Sequence, residues 1–339
     1  SVSYISFKTL FEGYTPNEIS STFKTFQDNR LIVSKRVAAA NPYWQSLPTS
    51  QKFTPDGYAK GYGRYSQDVL VPAFLAAYAG KDPSTVALIK QSNAKVSTNP
   101  FAGIIPKPNW RVTYTGLTKI PALAEKFNNI SFSHSYKGNL SMNSFNSALL
   151  YQDPYRLGGP SFMDTVSGNF VPFFLVPNIT MQESFEPLFG LDFTTNKQMS
   201  MHFEYRKGRQ LSLSLVDYQL SESRSTEWVF GFSLRTQGLN LPFTIPGMKN
   251  AKLVNDLTVK VDLSMRDVSN SNSRLDQTNA YGTGGQKEIT IQPSVDYVLN
   301  SRVNLQFFFD QRRVKPYIST SAPSTSTRAG VKIRVSLAQ

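Results

Sequence analysis

Leu257-Thr-Val-Lys-Val-Asp-Leu-Ser-Met-Arg266 decides how this chain is to be read. Leu257, Val259, Val261, Leu263 and Met265 take one face of an extended segment and Thr258, Lys260, Asp262, Ser264 and Arg266 the other, because successive side chains in a strand point to opposite faces. A tilted strand crosses a bilayer in about 9–11 residues, whereas strands of soluble sheets are nearer five or six, by a rough average. A Lys or Arg at the bilayer midplane costs about 2–4 kcal/mol. A slip of one residue would expose Lys260, Asp262 and Arg266 at a cost of roughly 5 kcal/mol or more. The apolar face is therefore expected to meet lipid, and the polar face a lumen.

The same period recurs on both sides. Leu211, Leu213 and Leu215 alternate with Ser212 and Ser214, and Trp228, Phe230, Phe232 and Leu234 with Gly231, Ser233 and Arg235. Further on, Ile289, Ile291, Val295, Tyr297 and Leu299 oppose Thr290, Gln292, Ser294 and Asp296. Val303, Leu305, Phe307 and Phe309 oppose Asn304, Gln306 and Asp310, and Val331, Ile333, Val335 and Leu337 oppose Lys332, Arg334 and Ser336. Lys207-Gly208 and Asn300-Ser301 read as tight turns; Pro242–Lys252, Val268–Gly285 and Arg312–Thr327 read as long loops. Alternately short and long connections suit a membrane barrel, with short turns periplasmic and long loops extracellular. The expected fold class is all-β, part of a very large antiparallel transmembrane β-barrel, with one long loop insertion containing short helices.

Upstream, Val2–Phe11 and Leu31–Ala38 read as strands, which assigns residues 1–40 to the barrel. Residues 41–107 are dense in Pro, Gly, Ser and Tyr and form the insertion, with a helix over Asp68–Ala79 and a second short one over Asp82–Lys90. Residues 108–339 return to barrel strands and include the closing strand.

Composition narrows the classes. With 40% hydrophobic and 17% charged residues and a mean hydropathy of -0.30, the chain is neither disordered nor a helical membrane protein; no stretch approaches the roughly 18 apolar residues a spanning helix needs. The 24 Phe and 16 Tyr suit strands and interfacial girdles. A net charge of +13 raises nucleic acid, yet the cations are scattered through the strands, which points to a polar wall, a rim or anionic lipid headgroups instead. Without cysteine there is no disulfide framework. Ser1–Leu10 lacks the basic and apolar regions of a signal peptide, so the signal is expected to have been removed or the chain to be a fragment.

No catalytic constellation emerges, and no enzyme activity or cofactor is expected. His134 and His202 sit at alternate positions in strand segments and are expected on the polar face; neither has a partner at metal-ligand spacing. No nucleophile elbow is present. Gly61-Tyr-Gly-Arg-Tyr65 lacks the strand-to-helix setting of a nucleotide loop. Asp56-Gly, Asp82-Pro and the Asp276–Gly285 stretch read as turns and not as calcium loops.

Several longer segments carry a resemblance. Gly61–Gly80, Pro106–Leu117, Ile179–Gly190, Phe203–Leu215, Lys315–Ser321, and the ending Arg328-Ala-Gly330 with Leu337-Ala-Gln339 are similar to the SprA/Sov family, the outer-membrane translocons of the Bacteroidetes type 9 secretion system. The resemblance covers most of the chain and implies a C-terminal portion of a far longer barrel. It further implies a pore that exports folded proteins bearing a C-terminal secretion domain. The partners it implies are a PorV-like shuttle barrel, a periplasmic plug protein, the secreted substrates, lipid and lipopolysaccharide, and the rest of the same translocon.

Three residue sets follow. A protein-conducting lumen has to be hydrated and of mixed charge, which suits Lys260, Asp262, Arg266, Gln292, Asp296, Lys332 and Arg334. In the insertion, Trp44, Tyr58, Tyr62, Tyr65, Phe74 and Tyr78 are expected to form an aromatic partner-docking surface. Arg328, Gly330, Ile333 and Val335 resemble the polar, Gly, apolar, apolar spacing that barrel-assembly machinery reads in last strands, although a terminal aromatic is absent. A nutrient transporter barrel and a soluble β-sandwich are the rival classes.

Overall fold

The alternating segments pair into one antiparallel sheet in a computed structural model that describes residues 1–13, 19–89, 105–152, 162–240, 252–253, 255–277, 280–300, 302–318 and 320–336. In chain order the elements are β1 (Val2–Ser3), α1 (Ser21–Ala39), α2 (Pro42–Ser46), α3 (Gln67–Tyr78), β2 (Trp110–Tyr114), α4 (Pro121–Ala124), β3 (Phe127–Asn143), β4 (Asn146–Ser147) and β5 (Phe174–Leu175). They continue with β6 (Asn178–Thr195), β7 (Met199–Ser214), β8 (Gln219–Thr236), β9 (Leu239–Asn240), β10 (Lys252–Leu253), β11 (Leu257–Arg274), β12 (Ala280–Val298), β13 (Val303–Pro316) and β14 (Ser324–Val335). The order across the sheet is β1-β3-β6-β7-β8-β11-β12-β13-β14, with β2 also on β3. Among the described residues β14 pairs only with β13 and so leaves a free edge. No helix among them is long and apolar enough to cross a membrane.

Register turns the alternation of single strands into two continuous faces. Leu263 lies opposite Phe230, which continues through Phe203 and Leu191 to Phe132. In the other direction Val259 continues through Val295 and Phe307 to Val331. This apolar belt stays open: Trp228 is 47% exposed, Phe307 48% and Ile333 66%. Eight strands spaced about 4.8 Å apart, with apolar rows over about 27 Å of strand, cover on the order of 1,000 Å². The largest apolar patch of a soluble monomer is about 300–600 Å².

The strands outrun the belt. Of Val268–Gly285, expected as a loop, Val268–Arg274 and Ala280–Gly285 instead continue the ladder, with Ser269 opposite Gly285 and Asn272 opposite Tyr281. Ser and Asn occupy both faces there, so no hydrophobic period marks the strand. Lys207-Gly208, expected as a turn, lies inside β7, and most of Arg312–Thr327 is strand in β13 and β14. Asn300 does turn the chain from β12 into β13. Connections 196–198 and 299–302 are short at one end of the sheet, as are 215–218 and 275–279 at the other, and each end also has a long one, 237–256 and 144–177. The expected alternation of short and long connections is therefore not found. The expected loop Pro242–Lys252 except Lys252, Ser301, Lys90 and the ending Leu337–Gln339 lie outside the described residues.

The described part of residues 1–40 is not barrel strand: among the described residues there only Val2–Ser3 joins the sheet, and Leu31–Ala38, expected as a strand, lies in α1. Phe23, Phe26, Arg30, Val33 and Ala38 are buried at helical spacing, and the Ser20 hydroxyl caps the helix by accepting from the Phe23 amide at 3.1 Å. Helix α3 confirms the expected Asp68–Ala79 helix to within a residue and is buried from Asp68 through Tyr78, as an all-apolar helix must be. No helix forms over the described part of Asp82–Lys90; the Asp82 carboxylate accepts from the Ser84 amide and makes a turn. Together α1, α2, α3 and their loops form a helical module. It packs on the belt side of the sheet, beyond the belt, covering Leu140, Ile179, Met181, Leu211 and Leu213.

Candidate functional site

The polar face collects all seven residues expected there. Lys260 is flanked in register by Ser233 and Ser294, and Asp262 by Gly231 and Gln292. Arg266 stands between Glu227 and Glu288, and Asp296 reaches Lys332 through Gln306. Arg334 is opposite Asn304. Gly231 leaves room for a depression of about 210 Å³, lined by Asp192, His202, Lys260 and Asp262.

Opposite charges are interleaved across this face. His202 contacts Asp192, Arg206 bridges Glu204 and Glu227, Arg312 pairs with Glu288 at 2.6 Å, and Arg328 with Asp310 at 2.6 Å. No described group of His, Asp and Glu could hold a metal ion. Such a surface is wet and of balanced charge, with no cluster of large apolar anchors. His134 departs from expectation. It lies on the belt side, with its ring 5.6 Å from Phe185 and 6.3 Å from Trp110, and its Nδ1 2.7 Å from the Leu188 carbonyl oxygen. It keeps the strand parity of Phe132 and Tyr136, in unbroken register with β2, and that parity was the available signal.

The aromatic set in the insertion is not a docking surface. Trp44, Tyr58, Tyr62, Phe74 and Tyr78 are buried, and half-buried Tyr65 packs on Tyr218 at 4.7 Å. They form the core of the module. Tyr62 accepts at its hydroxyl from Asn41, and Trp44 donates from its indole to the Lys52 carbonyl oxygen at 3.0 Å. Gly61 has φ +82, and a Cβ there would lie 2.2 Å from the Phe170 ring, so the familiar glycine marks the strap of residues 162–177 closing on the module. On its surface, Asp56 is held below the usual carboxylate range, first by the Thr54 hydroxyl and also by Arg64.

In the last described strand, Arg328 and Gly330 are on the polar face and Ile333 and Val335 on the belt face. A Cβ at Gly330 would stand 3.0 Å from the Phe308 ring. The glycine thus lets Phe308 cover the edge strand, and Lys332 sits over the same ring at 4.8 Å.

One cluster escaped the sequence reading. Where the module meets the sheet, Arg209 lies opposite Arg224. The Arg209 side chain is 0% exposed and that of its partner Glu183 1%. Glu183 also accepts from Ser6 and from the Tyr136 hydroxyl at 3.3 Å, and Arg209 donates to Thr9 Oγ1 at 2.9 Å. Glu222 accepts from Arg224 at 2.6 Å, and Arg224 donates to the Glu12 carbonyl oxygen at 3.0 Å. The Arg209 guanidinium stands over the Tyr78 ring at 5.6 Å, and burial pushes the Tyr78 phenol far above its ordinary value. Ser6, Thr9, Glu12 and Tyr78 all belong to the module side, so the cluster is its anchor. Arg209 shares a face with Leu211 and Leu213, and that parity was the available signal.

Comparison with models of known protein families and with curated proteins finds no match to this chain.

Proposed function

We propose that this chain is part of the wall of an outer-membrane β-barrel that conducts proteins, a portion of a translocon of the type 9 secretion kind. The observation that carries the reading is the belt: alternation in eight strands is held in register, so the apolar residues fall into one band. Tilted as barrel strands are, that band stands about 20 Å tall, against the ~25 Å of an outer-membrane barrel. The opposite face supports a hydrated lumen, with Lys260, Asp262, Arg266, Gln292, Asp296, Lys332 and Arg334 along it. The free edge of β14 supports closure by further strands of the same translocon. The shuttle barrel, the plug and passengers with a C-terminal secretion domain are the partners this role calls for. The lumen passes chains without acting on them, so the chain is not an enzyme.

These 339 residues contain no cysteine, so within them only an introduced one can react. In the intact protein in its membrane, single cysteines replace Lys260, Asp262, Val261 or Leu263. A hydrophilic maleimide should label the first two and leave the last two untouched. Equal labelling of all four would remove the barrel reading. Export is tested separately: cells lacking the protein should retain passengers in the periplasm, and undiminished secretion would remove the translocon assignment while leaving the barrel.

A further inference from the structure

One stretch of the belt face is built against itself. Lys287 on β12 and Lys315 on β13 are directly opposite each other in register, and Arg313 is two residues from Lys315 on the same face, opposite Ile289. Residues directly opposite across an antiparallel pair have Cβ atoms about 5 Å apart, and like charges there repel. All three side chains are exposed, and none makes an ion pair or side-chain hydrogen bond with a described residue. Asp267 on β11 lies directly opposite Lys287 on its other side and accepts from the Tyr317 hydroxyl at 2.6 Å, so one carboxylate stands in register beside three cations.

The position of the three cations is as informative as their charge. Ile289 closes the belt on β12, and Lys287 lies two residues before it, about 6–7 Å further out along the strand. Polar headgroups add about 5–7 Å on each side of the hydrocarbon of a bilayer. β13 leaves the belt after Phe309, and the long stems of Arg313 and Lys315 can lie back along the sheet with their charged ends in the interface. Exposed Tyr317 stands beside them, at the depth where Tyr and Trp rings collect. At the anchor the equivalent repulsion, Arg209 against Arg224, is relieved by Glu183 and Glu222. Here a single carboxylate, Asp267, stands against three cations and forms no ion pair with them.

We propose that Lys287, Arg313 and Lys315 form a seat for the phosphate groups of anionic lipid headgroups at the rim of the belt. The seat rests on the reading that the belt meets lipid. Each Lys or Arg at an anionic membrane surface is worth about fivefold in affinity, and three together on the order of a hundredfold.

The intact protein, purified in neutral detergent, is titrated with phosphatidylglycerol and with phosphatidylcholine, and bound lipid is counted by native mass spectrometry. Wild type should hold phosphatidylglycerol in preference to phosphatidylcholine. The variant K287Q/R313Q/K315Q should lose about a hundredfold in phosphatidylglycerol affinity, and Lys287→Gln alone about fivefold. Removing three charges from the helical module, as K24Q/K35Q/K60Q, should leave binding unchanged. Phosphatidylglycerol binding by the triple rim variant within twofold of wild type would overturn the seat. So would displacement of the lipid by inorganic phosphate at equal concentration, which would make the site one for free phosphate. A protein that stays monodisperse without detergent and binds neither lipid would instead refute the membrane reading beneath it.

Discussion

Two pairs of cations face each other across strands on the same side of this sheet: Arg209 opposite Arg224, and Lys287 opposite Lys315. The first pair is roofed by the helical module and is matched by Glu183 and Glu222, with Ser6 and Tyr136 donating to Glu183 and Thr9 accepting from Arg209. The second is open, and the one carboxylate in register with it, Asp267 opposite Lys287, accepts from the Tyr317 hydroxyl and forms no ion pair with either lysine. What differs is the surroundings. Where protein covers the strands, the charge has to be neutralised from within the chain, because an unpaired ion loses most of its hydration on burial. Where nothing covers them, the same repulsion persists, and solvent or an anionic surface has to screen it. A single alternating pattern thus serves a folded module on β3, β6, β7 and β8 and, on the proposed membrane reading, an external covering on β12 and β13.

Breaking the covered pair should have the largest effect. Arg209→Ala leaves Glu183 buried without its partner, which is expected to cost about 3–5 kcal/mol. The loss should appear as release of the module before the sheet unfolds, read by hydrogen exchange of α3 amides. Adding Glu183→Gln to Arg209→Ala should recover part of the stability, since the stranded charge is gone. Unchanged protection of α3 in Arg209→Ala would show that apolar packing on Leu211 and Leu213 holds the module without the anchor.

The second test sets the belt against the polar face. Leu263→Arg places a cation at mid-belt and should destabilise the protein in its membrane by about 2–4 kcal/mol, while Arg near the belt rim costs about 0–1 kcal/mol. Lys260→Ala, three residues away on the opposite face, should move stability by less than about 0.5 kcal/mol. Urea midpoints in vesicles check both. Equal, small effects would mean that the belt is not facing hydrocarbon.

How far these features are legible in the sequence depends on what carries the period. Leu257 to Met265 declares itself because apolar and polar residues alternate without exception. The continuation from Val268 to Arg274 does not, since Ser and Asn suit both faces of a strand lying in water, and only pairing with β12 reveals it. Leu31-Ile-Val33 passes for a strand through its β-branched residues, but the helical spacing of Phe23, Phe26, Arg30 and Val33 appears only in a longer window. The aromatic residues from Trp44 to Tyr78 could be core or surface by composition, and burial alone decides for core. The seven polar-face residues were legible because their own strand period placed them. The anchor was not, because Glu183 and Arg209 read as breaks in the alternation until the module is seen to cover them.

The smallest expected effect bears most directly on the open pair. Lys315→Glu would put a carboxylate opposite Lys287 and turn a repulsive cross-strand contact into an attractive one. Such pairs are worth about 0.2–1 kcal/mol, so in neutral detergent the variant should be slightly more stable than wild type. In membranes rich in phosphatidylglycerol the sign should reverse, because the introduced carboxylate would repel the headgroups that Lys315 attracts. Thermal unfolding of both proteins in the two media gives the difference of differences, from which the intrinsic strand preferences of Lys and Glu cancel. A stability change of the same sign in both media would mean that the strand pair feels only its own charges. A change of sign would show that the covering absent from the protein at β12 and β13 is supplied by the anionic surface around it, as Glu183 and Glu222 supply it at Arg209 and Arg224.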